Sequence, residues 1–198
     1  GFTKQAGNLD PKIINLIENH NFDQIQKIYW RNSNIKFETI ESVLSSLKKF
    51  PISDFFIHKK NAVDELNFRM LIDDGDVKQR LNSIKNIKLL WDVCRIPDFE
   101  KIFNDNYLSF LKKIFLIIIK NDRIPQDWIN SNISKLEDTS GGIPELSLKI
   151  SQIRTWTYIS NHQNWLDDPF HWQQKTQNIE NLLSDNLHNS LTNKFVDS

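Results

Sequence analysis

Residues 144–196 read PELSLKISQIRTWTYISNHQNWLDDPFHWQQKTQNIENLLSDNLHNSLTNKFV, and the spacing of their apolar side chains decides the fold. Pro144 stands where a helix tolerates proline best, at its first turn, and Leu146, Ile150, Ile153, Trp156 and Ile159 follow at helical intervals. Asp168-Pro169 repeats the signal as a cap followed by proline. Beyond it Trp172, Ile179, Leu183, Leu187, Leu191 and Phe195 step by sevens and fours along a second, longer helix. The short connection from Asn161 to Asp168, which holds Trp165, leaves room only for a reversal. Residues 144–162 and 169–196 are therefore expected to pack as an antiparallel hairpin, with Trp156 and Trp172 buried in it.

Working outward, Thr139-Ser140-Gly141-Gly142 is the only cluster of small residues in the chain. It sets a hairpin region, 139–198, apart from a helical region, 10–138, preceded by an extended lead-in at 1–9. In the helical region Asp10-Pro11 opens one helix, with Ile13, Ile14 and Ile17 as its stripe. Ile40, Val43, Leu44 and Leu47 mark another, stopped by Pro51, and Val63, Leu66 and Met70 a third. Val77, Leu81, Ile84 and Leu89-Leu90 continue to about Val93, with a break expected near Asn86. Pro97 to Lys120 reads as one helix, because Phe99, Ile102, Phe103, Tyr107, Phe110, Ile114 and Ile118 fall on one broad face. No stretch alternates as a strand would. The expected fold is all-α, a multi-helix bundle ending in the long hairpin.

Composition narrows the class. The chain has 198 residues, 39% hydrophobic and 25% charged, with 25 basic and 25 acidic side chains. That is too apolar for disorder and enough for a substantial core. The longest apolar run, Ile114 to Ile119, is far short of the roughly 20 residues a membrane span needs, so no membrane association is expected. Residues 1–9 lack the apolar stretch of a secretory signal. The chain opens on Gly1 and Met70 is its only methionine, so it is expected to be a piece of a longer protein.

Catalytic constellations are missing. No GxxxxGK[ST] or GxGxxG loop is present to cradle phosphates, and no HExxH or G-x-S-x-G motif occurs. Cys94 is the only cysteine and has no neighbouring histidine to activate it, so a buried, inert thiol is expected. His162 and His171 lie near the hairpin's reversal and can approach each other, but zinc needs three or four ligands, and no metal site is expected. Asp73-Asp74-Gly75-Asp76 lacks the spacing of a calcium loop and reads as a turn that caps the next helix. No residue is assigned a catalytic, cofactor-binding or metal-binding role.

Nucleic acid is the remaining partner class. Lys78, Arg80, Lys85, Lys88 and Arg95 form a stretch interrupted by only Asp92, and part of it falls at helical spacing, so these five are the candidate phosphate contacts. The tryptophans between Trp156 and Trp172 invite base stacking, but residues 143–198 carry four Lys/Arg against six Asp/Glu, a poor phosphate surface. Core positions suit these rings better.

Several blocks carry a resemblance. Ile153-Arg154-Thr155-Trp156-Thr157-Tyr158-Ile159, Asn164-Trp165-Leu166-Asp167-Asp168-Pro169 and His171-Trp172-Gln173 are followed by Leu183-Ser184-Asp185-Asn186-Leu187-His188 and Leu191-Thr192-Asn193-Lys194-Phe195-Val196-Asp197. Together they resemble the region downstream of the motor in α-proteobacterial DExH-type superfamily-two helicases related to the mitochondrial RNA degradosome helicase. Leu90-Trp91-Asp92-Val93-Cys94-Arg95-Ile96-Pro97-Asp98-Phe99 resembles a second block of that family. Gly1-Phe2-Thr3, Asp10-Pro11 and Ile17-Glu18-Asn19-His20 resemble the passage just after its last motor motif. Trp91, Arg154, Trp156, Trp165 and Trp172 are the signature positions. Asn186 and Asn189 depart from the family's usual Asp-Ala-Leu-His-Glu.

The resemblance implies an accessory helical region that braces two RecA-like motor domains of the same chain and lines the nucleic-acid path. ATP and Mg would belong to that motor, upstream of Gly1, and no cofactor to the residues here. RNA would be a weak partner of this region, and the compartment would be the bacterial cytoplasm, or the mitochondrial matrix in a eukaryote. The alternative is a stand-alone helical module that recruits another protein, such as a nuclease.

Overall fold

The computed structural model describes residues 28–60, 62–100 and 105–196. The expected helix opened by Asp10-Pro11 and the lead-in at 1–9 lie outside these residues. The chain divides into two compact units, residues 1–62 and 63–198. The regular elements of the described residues are helices apart from one sheet of two short parallel strands, so the fold is all-α. None of their helices is long and apolar enough to cross a membrane.

In the first unit, β1 (Ile28–Trp30) pairs in parallel with β2 (Phe56–His58), joined through α1 (Ile40–Leu47). Parallel neighbours cannot be joined by a tight turn, and α1 supplies the crossover. Thr39 caps α1, its hydroxyl accepting from the backbone N–H of Ser42 at 3.0 Å. Buried Ser46 organises the entry to α1: its hydroxyl accepts from the N–H of Lys36 and donates to the carbonyl of Ser42. The sequence reading found no strands, because three residues are too few to show a period of two.

In the second unit, α2 (Val63–Leu71), α4 (Ile84–Cys94) and α5 (Asp105–Asn121) pack together, with the single-turn α3 (Gly75–Lys78) against α5. Phe68 meets Trp91 edge to face at 5.7 Å, and Leu90, Leu111, Ile114 and Phe115 complete this core. Buried Asn67 donates to the carbonyl of Cys94 at 3.2 Å, satisfying a group left open at the end of α4.

Two expected boundaries move. The break falls between α3 and α4, not near Asn86: Ser83 caps α4 by accepting from the N–H of Asn86, whose side chain reaches back to the carbonyl of Arg80. The helix expected from Pro97 is described from Asp105 to Asn121, and Phe99 lies in a turn. Pro97 disfavours a helical Ile96, and the Tyr107 hydroxyl donates to the Ile96 carbonyl, fixing the chain where α4 has ended. Ile102 and Phe103 lie outside the described residues.

A helix that the periodicity did not single out, α6 (Gln126–Ile133), runs into a 3-10 turn (Ser134–Leu136). Then comes the hairpin: α7 (Ile143–Ser160), a 3-10 turn at Gln163–Trp165, and the 28-residue α8 (Pro169–Val196). Gly141 has φ of 120°, a region that favours glycine, and the N–H of Gly142 donates to the Glu145 carboxylate to start α7. Asp168 caps α8 through the N–H of His171. Across the hairpin Gln173 meets Ser160, Glu180 meets Arg154, and Asn186 meets Thr139. As α8 ascends the α7 side descends, so the pair is antiparallel. The apolar stripe of α8 is buried only through Leu183, and Leu191 and Phe195 are exposed.

Candidate functional site

The α4 helix presents Lys85, Lys88, Asp92 and Arg95 at spacings of three, four and three, which places them on one side. Lys88 and Arg95 are exposed, and Asp92 is half-buried between them. Tyr158, near the C-terminal end of α7, and His162 just beyond it come close enough to this side to feel its charges. Burial pushes the Asp92 carboxyl above its ordinary range, opposed by His162, Lys88 and Arg95. Burial also lowers the His162 imidazole, with Asp92 pulling it up and Arg95 pushing it down. The Tyr158 phenol is raised by burial, with Arg95 drawing it back.

His162 is positioned by aromatic rings. Its imidazole stacks on Trp165 at 3.9 Å and 9°, and Tyr158 leans on it at 5.3 Å. Trp165 is buried, and its carbonyl accepts from the N–H of Ile124 at 2.8 Å. Arg123 donates to the carbonyl of Leu166 and pairs with Asp167 at 3.5 Å. The hairpin's reversal is thus tied to the segment that precedes α6. This arrangement links α4 and the hairpin electrostatically. No group of three or more His, Cys, Asp or Glu among the described residues can hold a metal.

The five candidate phosphate contacts lie on more than one element. Lys78 ends α3, and Arg80 turns back to the carbonyl of Asp76 at 2.6 Å. Lys85 reaches Asp122 at 3.4 Å, both side chains about four-fifths exposed, so water and salt screen that pair. Lys88 and Arg95 share their face with the Asp92 carboxylate. The acidic turn is occupied from within: Asp74 caps α3, and Lys112 bridges Asp74 at 2.9 Å and Asp76 at 2.8 Å. Cys94 is buried, and that burial holds its thiol well above the ordinary range.

The signature positions are structural. Trp91, Trp156, Trp165 and Trp172 are buried. Trp156 meets Phe110 at 5.8 Å and Trp128 at 5.5 Å, both edge to face, which ties the hairpin to α5 and α6. Arg154 is the exposed member and pairs with Glu180 across the hairpin at 3.1 Å. Sequence reasoning missed Trp128, Arg123 and the approach of Asp92 to His162. Pro125 ahead of Trp128, Ile129 and Ile133 was the available signal for α6; nothing local signals the other two.

No family model, no curated protein and no solved structure matches the chain.

Proposed function

We propose that the chain is a helical accessory region of an ATP-dependent RNA helicase, bracing a RecA-like motor and lining the path of the strand. The observation that carries this reading is the placement of the helicase-like signature. Its tryptophans, Trp91, Trp156, Trp165 and Trp172, are core positions, and Trp156 and Trp165 join the hairpin to its neighbours. A signature made of packing residues suits a rigid support better than a reaction centre. In this reading ATP, Mg and the hydrolytic residues belong to the motor, and the protein works in the bacterial cytoplasm or the mitochondrial matrix.

A second reading, a module that recruits a nuclease or another protein, is favoured by Leu182, Leu191 and Val196, which α8 leaves exposed. Assay of ATP hydrolysis by the complete polypeptide separates the two. RNA-stimulated hydrolysis supports the helicase reading; a complete polypeptide without a phosphate loop and without hydrolysis overturns it.

A further inference from the structure

The chain's zero net charge conceals a division. Residues 1–62 carry nine Lys/Arg against six Asp/Glu, and residues 63–198 carry sixteen against nineteen. The basic surplus lies in the first unit and so outside the stretch at residues 78–95. Within it, residues 48–60 hold four lysines and one acid, Asp54.

His58 gathers those lysines. Its Nε2 donates to the Leu47 carbonyl at 2.9 Å, and its ring packs against Phe50 at 5.2 Å and 47°. The turn Lys48-Lys49-Phe50 is thereby fixed to the end of β2, where Lys59 and Lys60 come next. The N–H of Lys59 donates to the Trp30 carbonyl at 2.7 Å, which also fixes this end of the strand. All four lysines are exposed, and none makes an ion pair among the described residues. Phe50 stands among them 73% exposed.

We propose that the lysine turn and strand end joined by His58 form a platform for single-stranded nucleic acid, with Lys48, Lys49, Lys59 and Lys60 on phosphates and Phe50 under a base. An exposed ring within a cluster of lysines that have no ion pair among the described residues offers both of the contacts a single strand needs, a stacking face and counter-charge. A duplex would offer only its phosphates, since its bases are already stacked. An anionic lipid surface is better served by an amphipathic helix flanked with lysines, and α1 ends before Lys48 and contains no Lys or Arg. The platform adds a strand contact to the brace reading and rests on it only for its place in the helicase cycle.

The test is anisotropy of a labelled short oligouridylate with the 198-residue chain, between about 50 and 200 mM salt. Four phosphate contacts give a log–log salt slope of about −3, since each contributes roughly 0.7 on a single strand. Lys48→Glu/Lys49→Glu and Lys59→Glu/Lys60→Glu should each flatten it by about 1.4. Phe50→Ala should lower affinity roughly 5- to 100-fold and leave the slope intact. Lys135→Glu, on an exposed turn of the second unit, should change neither. All substituted side chains are exposed, and unchanged circular dichroism confirms that the variants fold. Absence of binding at low salt, indifference to Phe50→Ala, or tight binding only to phosphatidylserine vesicles overturns the proposal. Those failures leave the brace reading standing, because it is tested by the ATPase of the complete polypeptide.

Discussion

The imidazole of His162 lies flat on the indole of Trp165, with ring centroids 3.9 Å apart and planes 9° from parallel. Burial at this contact favours neutral His162, so its pKa in the folded chain lies below the ordinary 6.5. A depressed histidine pKa contributes stability that is full above 6.5 and is lost as pH falls from there through the folded value. Asp92 acts in the opposite sense over a lower range: its carboxyl is raised from 3.8, so its ionisation costs stability as pH climbs from there. Denaturant melts at about pH 7 and pH 5 should show lower stability at the acid end, and His162→Gln should shrink that difference. An identical difference in both proteins would mean that His162 is not the group responsible.

The Trp156–Trp128 contact at 5.5 Å makes a second expectation. Replacing Trp156 or Trp172 with Ala should cost about 3–5 kcal/mol, because neighbouring helices cannot close around the lost ring. A loss under about 1 kcal/mol in urea melts would contradict the buried placement of that ring.

The hairpin and its tryptophans were legible because long helices repeat their apolar signal many times. The stripe from Trp172 to Leu183 is buried as its spacing implies. Shorter elements carry too few repeats: β1 and β2 have three residues each. The helix α6 starts after Pro125, whose side chain makes no cap hydrogen bond, so its start left no polar mark. The break before α4 lies at Ser83, its cap, and Asn86, near which the spacing places the break, lies one turn inside the helix. The Asp92–His162 approach joins residues seventy positions apart. Only tertiary packing creates such a pair, and no local spacing announces it.

Lys112 bridges two carboxylates of one turn, and the hydrogen bond from Lys112 is foremost in holding Asp74 below the ordinary carboxylate range. A depressed carboxylate contributes stability that is present above 3.8 and lost as pH falls through the folded value. Asp74→Ala should cost about 1 kcal/mol through loss of the cap, and should weaken the acid sensitivity of the melt below about pH 4. An unchanged acid limb would remove Asp74 from that account.

The chain itself should neither bind nor hydrolyse ATP, since no phosphate-cradling loop exists in its sequence. Titration calorimetry with Mg-ATP should give no saturable heat. Stoichiometric binding at micromolar affinity would place a nucleotide site here and overturn the division between motor and support.

The most direct measurement is ATP hydrolysis and RNA strand separation, side by side, by the complete polypeptide and by a variant carrying Trp156→Ala with Arg154→Glu. These substitutions remove the ring that ties the hairpin to α5 and α6 and turn the Arg154–Glu180 attraction into a repulsion between two carboxylates. A brace couples hydrolysis to movement of the strand. The expected result is hydrolysis within a few-fold of the unaltered protein and strand separation reduced at least about tenfold, a coupling loss of roughly 1.4 kcal/mol or more. Equal hydrolysis and equal strand separation in both proteins would contradict a bracing role.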